Sequence, residues 1–171
     1  MSKQSNIFPE EAMLEQSEKF LQAQSIGHLG LSVDNEVYVI PLNYAYNNRR
    51  ILFHCSLEGQ KLDMIRQNPN VCFEVSCLYG DPKEHAGSKC LTEFESVLCR
   101  GTARIIEDLS ERHAILQEFQ FRYATPDKPR TSLAPGRAKG CAAVEITVTR
   151  MSWRRATGDE HGYGDRGEWS V

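Results

Sequence analysis

The sequence predicts a mainly β fold: an antiparallel barrel flanked by helices. Two β-type runs, VYVIPLNYAY (37–46) and RILFHC (50–55), are joined by Asn47-Asn48, a dipeptide that tolerates the positive backbone angles of a tight hairpin. Further runs of β-branched and aromatic residues follow one another across short polar turns instead of crossover helices, which favours antiparallel order. The run CLTEFESVLCRGTARIIE (90–107) alternates over a length that helps to close a small barrel, with Gly101 as a bulge or bend.

Taken in order, residues 1–25 form an N-terminal segment in which Ala12, Met13, Leu14, Phe20 and Leu21 are spaced among charges as an amphipathic helix over 10–24. The barrel domain spans 26–158. It opens with strands over 26–33 and 37–46 around the polar turn Asp34-Asn35-Glu36. After His54 the period changes, with Leu62, Met64 and Ile65 on or near one face of a helix over 58–67 that ends at Asn68-Pro69. A strand over 71–78 leads into a loop over 79–89, rich in glycine, proline and polar residues. A second helix is expected over 110–123, with Ser110 as its cap. Residues 124–139 read as an irregular connection and 142–153 as the last strand. The polar segment 159–171 reads as a loose tail.

One domain suffices for 171 residues, and a hydrophobic content of 40% is enough to fill its core. A formal net charge of −3 gives no basic excess, which argues against nucleic acid or an anionic membrane as partner and favours a small molecule. The acid-containing N-terminus has no long apolar core and no later run approaches a membrane span, so a cytoplasmic location is expected. The six cysteines lie singly in apolar or strand-like surroundings without a CxxC pair and read as thiols that pack as small hydrophobes. Cys72, Cys77, His85 and Cys90 match no common zinc spacing, and no metal site is assigned.

Chemistry gathers at the entrance of the 58–67 helix. The first amides of a helix lack carbonyl partners and carry partial positive charge. Ser56 adds a hydroxyl, Gly59 permits close backbone approach and Lys61 brings a full cation, a set suited to a phosphate ester. The same residues also fit a capping serine, a turn glycine and a solvated lysine.

The segment FHCSLEGQKLDMIRQNPNVCFEV (53–75) resembles the phosphate-binding strand, loop and helix of the pyridoxamine phosphate oxidase-like FMN-binding split-barrel family. Ile40-Pro41-Leu42-Asn43 followed by Phe53-His54 and Gly59-Gln60-Lys61 is most similar to its branch of nitroimidazole-resistance-type reductases. The resemblance implies a Greek-key split β-barrel that forms a homodimer and binds FMN. It implies that backbone groups of Pro41, Leu42 and Asn43 meet the isoalloxazine edge, that His54, Cys55 and Ser56 lie near the cofactor, and that Lys61 holds the phosphate. Ser96 and Val97 would reach the flavin from the neighbouring subunit, and Trp153 would lie near the same site. His54 is the candidate catalytic group, because imidazole titrates near neutral pH; a hydrogen-bonded strand residue is its other reading. His28, His85, His113 and His161 have no such placement.

Two departures bear on substrate. Gln60 stands where a true pyridoxamine phosphate oxidase has a basic residue, and Arg154-Arg155-Ala156-Thr157-Gly158 is not the family's arginine-and-histidine segment, which disfavours vitamin B6 oxidation. The expected activity is electron transfer from NADH or NADPH through FMN to a small organic acceptor. With no glycine-rich dinucleotide fingerprint, the donor would bind transiently. A non-enzymatic flavin-binding protein and a haem-binding or haem-degrading relative are the alternatives.

Overall fold

A computed structural model describes residues 10–79, 93–128, 132–156 and 166–171. The chain runs α1 (Glu10–Ala23), β1 (Ile26–Val33), β2 (Glu36–Asn43), β3 (Ala45–Asn47), β4 (Arg50–Cys55), α2 (Gln60–Gln67), β5 (Asn70–Tyr79), β6 (Glu93–Ile105), α3 (Leu109–Arg122), a 3-10 turn (Pro135–Lys139), β7 (Ala142–Ala156) and β8 (Arg166–Ser170). Every strand pairing is antiparallel, in the order β2-β1-β5-β6-β7-β4-β3, with β8 added to β7. This is the expected split β-barrel. Its two outer strands, β2 and β3, are successive parts of one stretch of chain that bends at Tyr44, so the sheet curls until its margins meet through the covalent backbone.

Alternation decides what each strand buries. Leu29 and Leu31 of β1, Phe73 and Val75 of β5, Val97 and Cys99 of β6, and Met151 and Trp153 of β7 enter one interior cluster with Leu62 and Ile65 of α2 and Phe20 and Leu21 of α1. Fully burying each large apolar side chain contributes roughly 1.5–3 kcal/mol. Tyr44 stands edge-on to Phe73 with centroids 5.1 Å apart and donates its hydroxyl to Leu21 O at 2.6 Å, which fastens the bend to α1. A second cluster of Ala45, Leu52, Ile106, Ile115 and Ala143, with Phe119 against it, lies under α3. A network in which Arg50 bonds Glu118 and Glu145, and Arg104 bonds Glu111 and Glu145, runs beside it.

Several local expectations are corrected. The β3–β4 turn centres on Asn48-Arg49, with φ of 49° and 61°, one residue later than Asn47-Asn48, because Asn47 pairs with Arg50. The 37–46 run is two strands, broken where Tyr44 turns into the core. Helix α2 starts at Gln60, since Gly59 has left helical geometry. Helix α3 is capped by Asp108, whose side chain accepts from Glu111 N at 2.8 Å; Ser110 lies inside the helix. The 124–139 connection contains the 3-10 turn. In the expected tail, Arg166–Ser170 is a strand that lies against Arg150–Arg154 of β7, and 159–165 lie outside the described residues. The expected bulge at Gly101 is present as a register shift between Arg100 and Gly101. The 80–89 part of the predicted loop, Cys90 and His161 lie outside the described residues. Among the described residues no helix is long and apolar enough to cross a membrane.

Candidate functional site

The end of β4 delivers Cys55 and Ser56 to a short loop that Gly59 closes. Gly59 has φ 135° and ψ 164°, a conformation suited to glycine, and open space surrounds the position a Cβ would take. Its carbonyl accepts from Leu62 N at 2.9 Å and Asp63 N at 3.3 Å, and no side chain caps the helix. Ser56 is therefore not the cap of α2, and it is exposed in the loop that leads to the helix entrance. Asp63, the carboxylate of the first turn, is held by Arg66 at 2.9 Å. Lys61 is half-buried near Cys55: burial pushes the Cys55 thiol pKa up, and the lysine charge opposes that shift. A cation, a hydroxyl and uncapped amides have the donor chemistry of an oxyanion site.

β2 supplies a different kind of surface. Among the described residues β2 is a marginal strand that pairs with β1 alone, and Pro41, which lacks an N–H, is suited to such an edge. Pro41 and Asn43 face outward, whereas Leu42 turns inward against the core. Asn43 pairs with Ile26, and Ser76 with Ser96, so Asn43 and the outward Ser96 lie toward one end of the sheet. The backbone edge and hydroxyl have the hydrogen-bonding character needed beside the polar rim of a planar heteroaromatic ring.

α3 ties His54 to this end. The His54 ring stands edge-on to Phe119 at 4.7 Å and 81°, and Phe119 contacts Tyr123 at 4.9 Å. The Tyr123 hydroxyl lies 2.6 Å from Tyr44 O and 3.0 Å from Ser25 O, and Asn43 Nδ2 donates to the same Ser25 carbonyl at 2.9 Å. Packing on one side leaves His54 with an exposed edge, and the partial burial lowers its pKa below the ordinary 6.5. Sequence reasoning placed Phe119 only on a helix and assigned Tyr123 no role. Their spacing of one helical turn was the available signal.

The remaining predicted residues are placed differently. Val97 and Trp153 are directly paired across β6 and β7, and their side chains belong to the core at 0% and 3% exposure. Trp153 donates its indole N–H to Glu95 at 2.9 Å, and Tyr79 reaches the same carboxylate at 3.0 Å. Within one chain, the side chains of Val97 and Trp153 are both turned into the core, and the backbone of both residues lies inside the ladders that join β5, β6, β7 and β8. Gln60 contacts Glu36 at 3.4 Å, so the entrance of α2 lies toward the start of β2 and the Pro41–Asn43 edge toward its far end. A groove of about 740 Å³ on the outer sheet face is lined by none of the predicted site residues. His28 pairs with Glu74 at 3.0 Å and His113 contacts Leu133 O at 2.7 Å. Among the described residues no group of three or more histidine, cysteine or acidic side chains could hold a metal.

Comparison with known proteins bears on the fold. A candidate 5-nitroimidazole antibiotic resistance protein from Bacteroides thetaiotaomicron VPI-5482 superposes with a TM-score of 0.67 and 23% identity, covering 81% of each chain. The FAD and heme binding protein of Mycobacterium smegmatis gives a TM-score of 0.71 at 14% identity, over 91% of this chain and 81% of that one. An FAD binding protein of the same organism is 25% identical with a TM-score of 0.55, over 83% and 93% of the two chains. A curated relative, an uncharacterized protein of Rhizobium meliloti (strain 1021), is 31% identical over 62 residues, and the match spans 36% of this chain and 40% of that relative's length. The family model described as pyridoxamine 5'-phosphate oxidase matches residues 14–155, and the chain therefore belongs to that family.

Proposed function

We propose that this protein is a flavoprotein that binds FMN, accepts electrons from NADH or NADPH and passes them to a small organic acceptor, in the manner of a nitroimidazole reductase. The observation that carries the reading is an uncapped, lysine-bearing helix entrance at one end of β2 together with, at the other, a backbone edge that takes no second strand among the described residues. Lys61, Ser56 and the first amides of α2 would hold the phosphate. Backbone groups of Pro41, Leu42 and Asn43 would orient the ring edge, with Cys55 beside the phosphate end. His54 would hold a proton at the open side. When bound, the flavin supplies the redox chemistry, and the chain orients it and excludes water.

The reading includes a homodimer. Ile26 and Leu78 are 57% and 61% exposed near the Asn43 and Ser96 end of the sheet, the kind of apolar surface a second copy would cover. In that arrangement the outward Ser96 would serve the partner's flavin, and Val97 and Trp153 would support that strand from behind.

A second reading is haem binding, favoured by His54, whose partial burial keeps the imidazole in the neutral form that binds iron. The absorption spectrum of the purified protein separates the two. Flavin bands that bleach anaerobically with NADH or NADPH support the proposal, and mass spectrometry of the released cofactor distinguishes FMN from FAD. A Soret band that shifts in His54→Ala supports haem. Colourless protein that takes up neither added cofactor defeats both readings.

A further inference from the structure

We propose that Phe119 and Tyr123 of α3 form, beside His54, the wall against which the electron acceptor lies, and that this wall selects an uncharged, planar acceptor of the quinone class. The inference rests on the flavoprotein reading above and adds the residues that choose its substrate. Ile115, Phe119 and Tyr123 follow at four-residue spacing on one face of α3. Ile115 is buried in the core, whereas Phe119 and Tyr123 are half-buried, and Phe119 meets His54, which is exposed near the end of β4. The three rings make one ladder, His54 to Phe119 at 4.7 Å and Phe119 to Tyr123 at 4.9 Å. Its far rung is fixed by the Tyr123 hydroxyl, which reaches Tyr44 O and Ser25 O, the second shared with Asn43 Nδ2. The ladder therefore joins the two parts of the proposed site, the His54 imidazole and the Asn43 end of β2. The charged neighbours are engaged elsewhere: Glu118 with Asn47 and Arg50, and Arg122, 5.4 Å over the Tyr123 ring, with Gln22 O and Gln24 O. Rings whose ionic neighbours are already committed favour a flat, uncharged ligand packed by its face or edge.

The net reaction takes a hydride from NADH or NADPH and one proton from solvent onto the quinone, whose two carbonyl oxygens become the hydroxyls of a hydroquinone. Two measurements on the FMN-reconstituted protein test the wall. NMR titration with 1-naphthol, a flat and uncharged probe, should shift the His54 imidazole protons by its ring current, and 1-decalol, its saturated counterpart, should bind about fivefold more weakly. In steady state, Phe119→Leu, which keeps bulk but removes the ring, should raise the KM for menadione about fivefold relative to that for ferricyanide. Tyr123→Leu should act in the same direction, and Tyr123→Phe, which keeps the ring without the hydroxyl, should recover most of the loss. Equilibrium dialysis with FMN separates this inference from the reading beneath it. A protein that takes up no FMN overturns both. FMN uptake with naphthol binding no tighter than decalol, or with an unmoved ratio of the two KM values in both Leu variants, overturns the wall alone. The naphthol comparison uses the wild type and decides the matter even where a Leu variant fails to fold.

Discussion

The ring of His54 stands almost perpendicular to that of Phe119, 4.7 Å between centroids, joining the end of β4 to a helix 65 residues further along the chain. This packing disfavours the imidazolium, so His54 should titrate below 6.5. Phe119→Ala, which opens the ring to water, should move the pKa back up toward that value, as read by NMR titration of the imidazole protons. The linkage has a definite sign. A folded-state pKa below the unfolded one contributes stability that is complete above 6.5 and declines as pH falls through the folded value. Urea midpoints measured above and below 6.5 should show that decline in the wild type and a smaller one in His54→Phe.

Lys61→Ala should release FMN about tenfold or more readily than the wild type, because it removes a charged partner of the phosphate, whereas His54→Ala should retain it. Equilibrium dialysis of the reconstituted proteins measures both. Equal retention by the two variants would count against the assigned roles.

At Gly101 the bulge brings β6 so close to β7 that an added Cβ would fall 2.1 Å from Thr147 O, a backbone atom that cannot step aside. Gly101→Ala should therefore cost about 3 kcal/mol or more. Chemical denaturation would show this as a lowered midpoint. An unchanged midpoint would mean that the two strands separate more easily than their register implies.

Arg112 is buried with carbonyl oxygens as its hydrogen-bond partners. It donates to Ile106 O at 2.7 and 2.9 Å and to Ala138 O at 3.3 Å, joining α3, the end of β6 and the 3-10 turn. Arg112→Met fills a similar volume but strands those carbonyls, and should destabilise the protein by about 3 kcal/mol. Arg112→Lys should recover part of the loss, and thermal melts of the two variants would rank them.

What could be read from the chain beforehand follows the range of each interaction. The strands, the inward face of α2 with Leu62, Met64 and Ile65, and the bulge at Gly101 are written in local period and composition, and the antiparallel barrel followed from them. Single-residue errors arose where two neighbours were chemically alike. Asn47 and Asn48 could each begin the turn, and Asp108 and Ser110 could each cap α3; pairing partners made the choice. Contacts between distant segments left no local mark: Tyr123 reaching Tyr44, Arg112 gathering carbonyls, and Glu95 holding both Trp153 and Tyr79. β8 was hidden because its glycine and charges suit a loop as well as a margin strand. At the candidate site, residue chemistry was legible, but the inward orientation of Val97 and Trp153 depended on a register no local pattern encodes.

The bend at Tyr44 has a mechanical meaning. Since β2 and β3 are one ribbon folded at this hinge, the barrel's seam is stitched by a peptide link and pinned by two phenols, Tyr44 to Leu21 and Tyr123 to Tyr44. Motion of α1 or α3 is thereby geared to the strand margin that would cradle the ring, and severing the hinge would unroll the wall at the place proposed for the ligand.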